Sequence, residues 1–173
     1  MSKIYTKKGD KGKTSMPFQS KISKNDSRCH AVGDLDELNT HLGLVSTFLD
    51  GDIKETLHDI QRNLLCIGSE AAKGVVESEL DFDDMCSRLE ALIDGMADDM
   101  PPLKNFILPG GTTQSATIHI ARTVCRRCER SLVAIEYPVL YINRLSDFLF
   151  TLARYVGIQT GAEEIIWSRA TTN

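Results

Sequence analysis

No stretch of this chain approaches the ~20 consecutive apolar residues that a membrane-spanning helix needs. The N-terminus is basic but no apolar run follows it, so it does not read as a secretory signal. It also lacks the arginines and the amphipathic pattern of a transit peptide. The chain is therefore expected to be cytoplasmic. Cysteine is sparse and odd in number, five in all, which speaks against a disulfide framework. The four histidines, His30, His41, His58 and His119, show no ligand spacing, and no metal site is expected among the side chains. No Ser/His/Asp or Cys/His arrangement suggests nucleophilic catalysis. There are no internal repeats, no low-complexity tract and no alternating strand run of useful length. The formal net charge of −4 argues against general nucleic-acid binding, which usually needs a basic domain.

What is present is helical periodicity, enough for one domain with a substantial core in 173 residues. A first helix is expected from near Ser27 to Leu49, with Val32, Leu35, Leu38, Leu42, Val45 and Leu49 on one stripe and Asp50-Gly51-Asp52 as its stop. A second carries Ile53, Leu57, Ile60, Leu64, Ile67 and Ala71 and stops near Gly74. Asp81 can cap a third, with Met85, Leu89, Leu92 and Met96 inside, which Met100-Pro-Pro102 ends. A fourth is expected from about Thr112 to Glu136. Pro138 suits the first turn of a fifth, with Leu145, Leu149, Leu152 and Val156 buried. Residues 163–169 read as an extended tail packed back on the bundle. These patterns predict an antiparallel helical bundle with short connections.

Charge is distributed unevenly. Residues 1–28 hold eight basic side chains against Asp10 and Asp26, a net of plus six, whereas residues 51–100 hold thirteen acids and four bases. The basic arm is thus set against an acidic body. Within the arm, Gly9 and Gly12 let backbone N–H groups converge, lysines add charge, and Thr14 and Ser15 add hydroxyls. That is what a polyphosphate cradle requires, although the spacing is not that of a P-loop and a flexible basic arm has the same composition.

The fourth helix carries Arg122, Arg126, Glu129 and Arg130 on one face, and Ile118, Ala121, Val124, Cys125, Cys128, Leu132 and Ile135 on the other. A guanidinium row repels itself unless something anionic answers it. A phosphate-rich ligand fits, and so do ion pairs to neighbouring acidic helices. Cys125 and Cys128 form a C-x-x-C, but both fall on the apolar face and no second such pair exists, so packing is their expected role. Asp36 and Asn39 on the first helix, and Asn143 and Asp147 at the start of the fifth, form polar edges that capping and ion pairing would explain.

Five segments, taken together and in order, resemble the ATP:cob(I)alamin adenosyltransferases of the propanediol-utilisation (PduO) type. They are Ile4 to Ser15 (IYTKKGDKGKTS), Val32 to Asn39 (VGDLDELN), Phe106 to Gly111 (FILPGG), His119 to Arg130 (HIARTVCRRCER) and Tyr141 to Asp147 (YINRLSD). The resemblance implies an all-α fold: an up-and-down five-helix bundle of ferritin-like arrangement with an N-terminal phosphate-binding loop arm. It implies one domain over residues 1–173, with the arm at 1–26, the bundle at 27–160 and a short tail at 161–173. It implies a homotrimer with sites between subunits, and transfer of the 5′-deoxyadenosyl group of ATP to the cobalt of cob(I)alamin with release of triphosphate. Thr6, Gly9, Gly12, Thr14, Ser15 and Lys24 would belong to the phosphate arm, and Glu129, Arg130 and Asn143 would complete the nucleotide site. Arg126 would contact the triphosphate, and Asp36 and Arg122 would pair across a subunit contact. Phe106 would lie beneath the corrin and exclude the lower axial ligand of cobalt. Mg2+ would bridge phosphate oxygens with few protein ligands. A reductase and a cobalamin-dependent acceptor enzyme are the implied partners, with no nucleic acid and no membrane. The rival readings are a non-catalytic ATP-binding regulatory bundle and a structural bundle whose arm grips an anionic protein.

Overall fold

Asp26 decides where the first helix begins. Its carboxylate accepts from the Arg28 backbone N–H at 3.0 Å, answering one of the unpaired donors of the first turn, and α1 runs Ser27–Ser46. The computed structural model describes residues 3–74 and 78–169. α1 ends three residues before the expected Leu49. Ser46 Oγ and Thr47 Oγ1 donate to the carbonyls of Gly43 and Leu44 at 2.8 and 2.7 Å, and their hydroxyls close the last turn although the apolar stripe continues. Gly51, expected as part of a stop, instead opens α2, Gly51–Lys73, which Gly74 terminates.

α3 spans Phe82–Asp98 and is capped as expected: Asp81 Oδ1 accepts from the Asp84 N–H at 3.0 Å. Its buried side is Cys86, Leu89 and Met96, while Leu92 sits 37 % exposed at the edge. α4 covers Thr113–Val133 behind the cap Thr112, whose Oγ1 accepts from the Ser115 N–H. α5 covers Leu140–Gln159; Pro138 precedes it rather than lying in its first turn. α1 packs on α2 and α4, α4 on α5, and α5 on α3. One apolar cluster draws on all five helices, with Leu38, Leu42, Leu57, Leu64, Ile67, Ile118, Leu132, Leu145 and Leu149 at its centre. The buried phenol of Tyr141 accepts from Asn63 Nδ2 at 3.3 Å, and burial pushes its pKa up to about 12.

The arm is not only loop. β1 (Lys13–Met16) and β2 (Gln19–Ser23) form an antiparallel hairpin, with Lys13 opposite Ser23, Thr14 opposite Ile22 and Met16 opposite Gln19. No strand was expected here because the two strands are short and mostly polar, and Met16 and Ile22 on their half-buried side are too few to mark an alternation. Gly12, at φ +71°, turns the chain into β1, and its carbonyl accepts from the Lys24 N–H at 2.9 Å.

Between α3 and α4 the chain forms a ledge that ends in Pro109-Gly110-Gly111. Ser115 Oγ lies 2.8 Å from both the Gly110 and the Ala153 carbonyl oxygens, tying the ledge to α5. Gly111 has φ +96°, and a Cβ there would stand 3.2 Å from Ala162 Cβ. The tail packs back as expected. Its Ile165 carbonyl accepts from the Leu108 N–H at 2.8 Å, and its Trp167 N–H donates to the Phe106 carbonyl at 2.7 Å around an Ile107–Ile166 bridge. Among the described residues no helix is long and apolar enough to cross a membrane.

Candidate active site

The hairpin and the turn before it enclose a cavity of about 580 Å³ lined by Thr6, Lys8, Gly9, Lys13, Thr14, Ser15, Lys21 and Lys24. Four lysines and three hydroxyl-bearing residues line this space and no carboxylate does, which suits an anion with many oxygens. Five of the six expected arm residues, Thr6, Gly9, Thr14, Ser15 and Lys24, line it directly. Gly12 lies outside and shapes the turn. A Cβ on Gly9 would fall 3.1 Å from Lys24 Nζ, so a side chain there would displace a cation. Lys8, Lys13 and Lys21 also line the cavity and were not among the expected ligands. Nothing in a lysine-rich polar segment tells which lysines face inward until the strand pairing is known.

Thr14 and Lys24 also border a second cavity, of about 630 Å³, which continues along α1 and α2 past Met16, Val32, Leu35, Leu65 and Gly68. Asp36 and Asn39 lie on its wall. Asn39 is fixed by a reciprocal pair with α2: its Nδ2 donates to the Gln61 carbonyl at 3.2 Å, and Gln61 Nε2 donates to the Asn39 carbonyl at 3.0 Å. Asp36 is exposed, and its side chain forms no ion pair among the described residues. None of the residues lining these two cavities comes from α4.

α4 divides its arginines into two sets. Arg127 turns to α1, where Nε lies 3.3 Å from Asp34 Oδ1 and Nη2 pairs with Glu37 Oε2. The Asp34 carboxylate also accepts from Ser131 Oγ. Arg122, Arg126 and Arg130 have no carboxylate partner among the described residues. Arg130 Nη1 donates to the Arg126 carbonyl at 2.8 Å, and the Arg126 guanidinium is left in solvent. Arg122 lies with its guanidinium carbon 5.9 Å from the Phe150 ring centre and its Nε buried without a hydrogen-bond partner. Burial, and then the neighbouring Arg126, hold its pKa below the ordinary value. Glu129 Oε1 accepts from Asn143 Nδ2 at 2.9 Å, which brings two of the expected nucleotide residues together across α4 and α5. Asp147 pairs instead with Arg144 at 2.8 Å.

The remaining candidates separate cleanly. Phe106 stands on the ledge, 82 % exposed. His119 is buried against Phe150, with ring centres 6.1 Å apart, and burial lowers its pKa to about 4, so it is neutral at pH 7. Both thiols of the C-x-x-C are buried. Burial pushes Cys128 up to about 12 and Cys125 higher still, and Cys125 Sγ donates to the Ile142 carbonyl. These thiols pack the core and are held protonated.

A family model described as cobalamin adenosyltransferase matches residues 4–156. A cobalamin adenosyltransferase from Cupriavidus metallidurans is 40 % identical over 185 residues, covering 98 % of this chain and 96 % of that protein. A corrinoid adenosyltransferase from Bacillus subtilis is 37 % identical over 183 residues, covering 97 % and 93 %. The fold superposes with a TM-score of 0.88 and 33 % identity on a phenylalanine-to-histidine variant of a PduO-type ATP:corrinoid adenosyltransferase from Lactobacillus reuteri complexed with cobalamin and ATP, covering 96 % of this chain and 97 % of that one. An arginine-to-lysine variant from the same organism, complexed with ATP, matches with a TM-score of 0.86 and 32 % identity.

Proposed function

The chain belongs to the cobalamin adenosyltransferase family, and from that premise we propose how its residues divide the work. It is an ATP:corrinoid adenosyltransferase: it moves the 5′-deoxyadenosyl group of ATP to the cobalt of cob(I)alamin and releases triphosphate. Co(I) is itself the nucleophile, so the protein needs no base. Its tasks are to hold C5′ in line with cobalt and to neutralise a leaving group that carries several negative charges.

The observation that carries the assignment of sites is the separation of two cationic surfaces on one chain. The arm cavity opens toward α1 and α2, while the unpaired Arg122, Arg126 and Arg130 lie on the α4 side that meets α5. No residue of α4 lines the arm cavity, so the two surfaces are separate on the chain. The proposal joins the arm of one subunit to the arginine face of the next, in a closed homotrimer with a site at each contact. Asp36, exposed beside the arm, would then pair with Arg122 of the adjoining copy. That pairing would answer the buried, unsatisfied Nε of Arg122.

In this arrangement Thr6, Gly9, Thr14, Ser15 and Lys24 cradle the phosphates, and Gly12 sets the shape of the turn. Arg126 meets the leaving triphosphate, and Arg130 with the Glu129–Asn143 pair orients the nucleoside. The hydroxyls of Thr14 and Ser15 are hard neutral donors in a cavity without carboxylates, which fits a Mg2+ ion held chiefly by phosphate oxygens. When bound, that ion supplies further neutralisation of the triphosphate. Phe106 would cover the lower face of the corrin and deny cobalt an axial ligand, which makes Co(II) easier to reduce. Arg126 lies about 20 Å along the helix axis from the start of α4, near which the ledge ends, a span suited to a corrinoid plus a nucleotide. The proposal places the reaction in the cytoplasm, with a reductase supplying the electron and a cobalamin-dependent enzyme receiving the product. A non-catalytic ATP-binding role leaves the exposed Phe106 without a use. The test is an anaerobic assay with ATP and chemically reduced cobalamin, following the absorbance of the cobalt–carbon bond. No bond formation at saturating ATP would remove the catalytic assignment.

A further inference from the structure

α5 carries one more charge, nearly buried, that the transfer chemistry leaves unused. The Arg154 side chain is 9 % exposed, and its Nε donates to Glu164 Oε1 at 2.5 Å. Its Nη2 donates to Glu164 Oε2 at 3.1 Å and lies 3.1 Å from the Pro101 carbonyl oxygen. This is a fork-on-fork contact, the strongest and most directional form of ion pair. Its two targets are informative. Pro101 opens the ledge that leads to Phe106, and Glu164 opens the tail that pairs with that ledge.

Ser115 ties the inner end of the ledge at Gly110, but from Pro101 to Phe106 the hydrogen bonds among the described residues are those to Arg154 and Trp167. The ledge and the tail share the Leu108–Ile165 and Trp167–Phe106 backbone bonds around one bridge, and an isolated pair of strands is marginal in water. Ile165, Ile166 and Trp167 are all exposed. Below the ledge lies a small cavity of about 60 Å³ bordered by Ser115, His119, Arg154, Gly157 and Glu164, so the packing beneath it is incomplete there. One guanidinium therefore grips both strands of a lip whose outermost ring is Phe106.

We infer that the Arg154–Glu164 pair is a positioning clamp that sets the height of Phe106 against the lower face of the corrin. Neither residue touches the reacting atoms. The inference rests on the assignment of Phe106 to the corrin, and the experiment includes a control for that assignment. Four proteins are compared: wild type, Phe106→Ala, Glu164→Gln and Arg154→Lys. Glu164→Gln removes the charge without changing shape. Arg154→Lys keeps a cation but cannot span both carboxylate oxygens and the Pro101 carbonyl together.

The readout is the four-coordinate fraction of enzyme-bound Co(II) cobalamin with ATP present, measured by electron paramagnetic resonance. Rates from Co(II) and from supplied Co(I), and KM for ATP, are measured alongside. Both clamp variants should lower the four-coordinate fraction and the rate from Co(II) by about threefold or more, because sub-ångström placement governs such contacts. KM for ATP should stay native, and the rate from supplied Co(I) should fall less. A merely structural role would instead move KM and thermal stability and leave the spectrum of the folded enzyme native. If one variant does not fold, the other carries the test. A native fraction in the folded clamp variants, with the fraction lost in Phe106→Ala, overturns the clamp alone. A native fraction in Phe106→Ala overturns the assignment of Phe106 and the clamp with it.

Discussion

Arg126→Ala and Arg127→Ala are adjacent substitutions of the same residue type with opposite expected outcomes. Arg126 is exposed and forms no ion pair among the described residues, and its neighbours on that face are Arg122 and Arg130. Removing it relieves like-charge repulsion and improves helix propensity, each by a few tenths of a kcal/mol. The melting temperature should hold or rise slightly. The chemical step should lose on the order of 3 kcal/mol, about two orders of magnitude in kcat, because a preorganised charge no longer meets the leaving triphosphate. Arg127 binds Asp34 and Glu37 of α1, with side chains 42 %, 20 % and 46 % exposed respectively. A pair so open to solvent contributes at most about 1 kcal/mol. Its loss should lower the melting temperature by about 2–4 °C for a chain of this size and leave kcat near native. Anaerobic single-turnover assays at saturating ATP, with thermal melts of both variants, read the two effects independently. Native turnover in Arg126→Ala refutes the reasoning. So does a collapse of kcat in a well-folded Arg127→Ala.

The homotrimer predicts a solution mass by light scattering of three times the chain's 19.2 kDa, and a monomer that turns over would sink the shared site. Gly12→Ala places a side chain at φ +71° and should cost about 1 kcal/mol of local strain; ATP affinity should fall in titration calorimetry while the helical circular dichroism stays native. His119 has a folded pKa of about 4 against an ordinary 6.5, so the unfolded chain binds the proton first as pH falls. Its contribution is intact above pH 6.5 and is lost between there and pH 4, on the order of 2–3 kcal/mol in all. Urea midpoints at pH 7 and pH 5 should differ more in wild type than in His119→Gln, and equal shifts in both would reject burial of a neutral imidazole.

The helices were legible because each has an apolar stripe at three- and four-residue steps and a chemically marked end, as with Asp26, Asp81 and Thr112. At the end of α1 a local hydroxyl had overridden the stripe: Ser46 and Thr47 close the helix although Leu49 extends the pattern. The arginine face of α4 was legible from periodicity alone. The partners of Arg127 were not, because they depend on which helix packs beside α4. The arm hairpin was hidden because its strands are short and mostly polar, with Met16 and Ile22 too few to mark an alternation. The Arg154–Glu164 pair was hidden for a different reason: a helix end and a turn separate the two residues, and only the path of the chain brings them together. The proposed junction of arm and arginine face would lie between copies, and so is not legible in one chain.

The two thiols on the inner side of α4 bear on the selectivity of the reaction. In the proposed site C5′ of ATP would be attacked beside the helix that holds Cys125 and Cys128. An ordinary cysteine would leave about one part in a hundred as thiolate at pH 7, a competent nucleophile for alkylation. Burial pushes Cys128 up to about 12 and Cys125 higher still, so both stay protonated at pH 7. Packing them into the core shields them sterically and suppresses their nucleophilicity. These two thiols are therefore poorly placed to compete with cobalt for the adenosyl group.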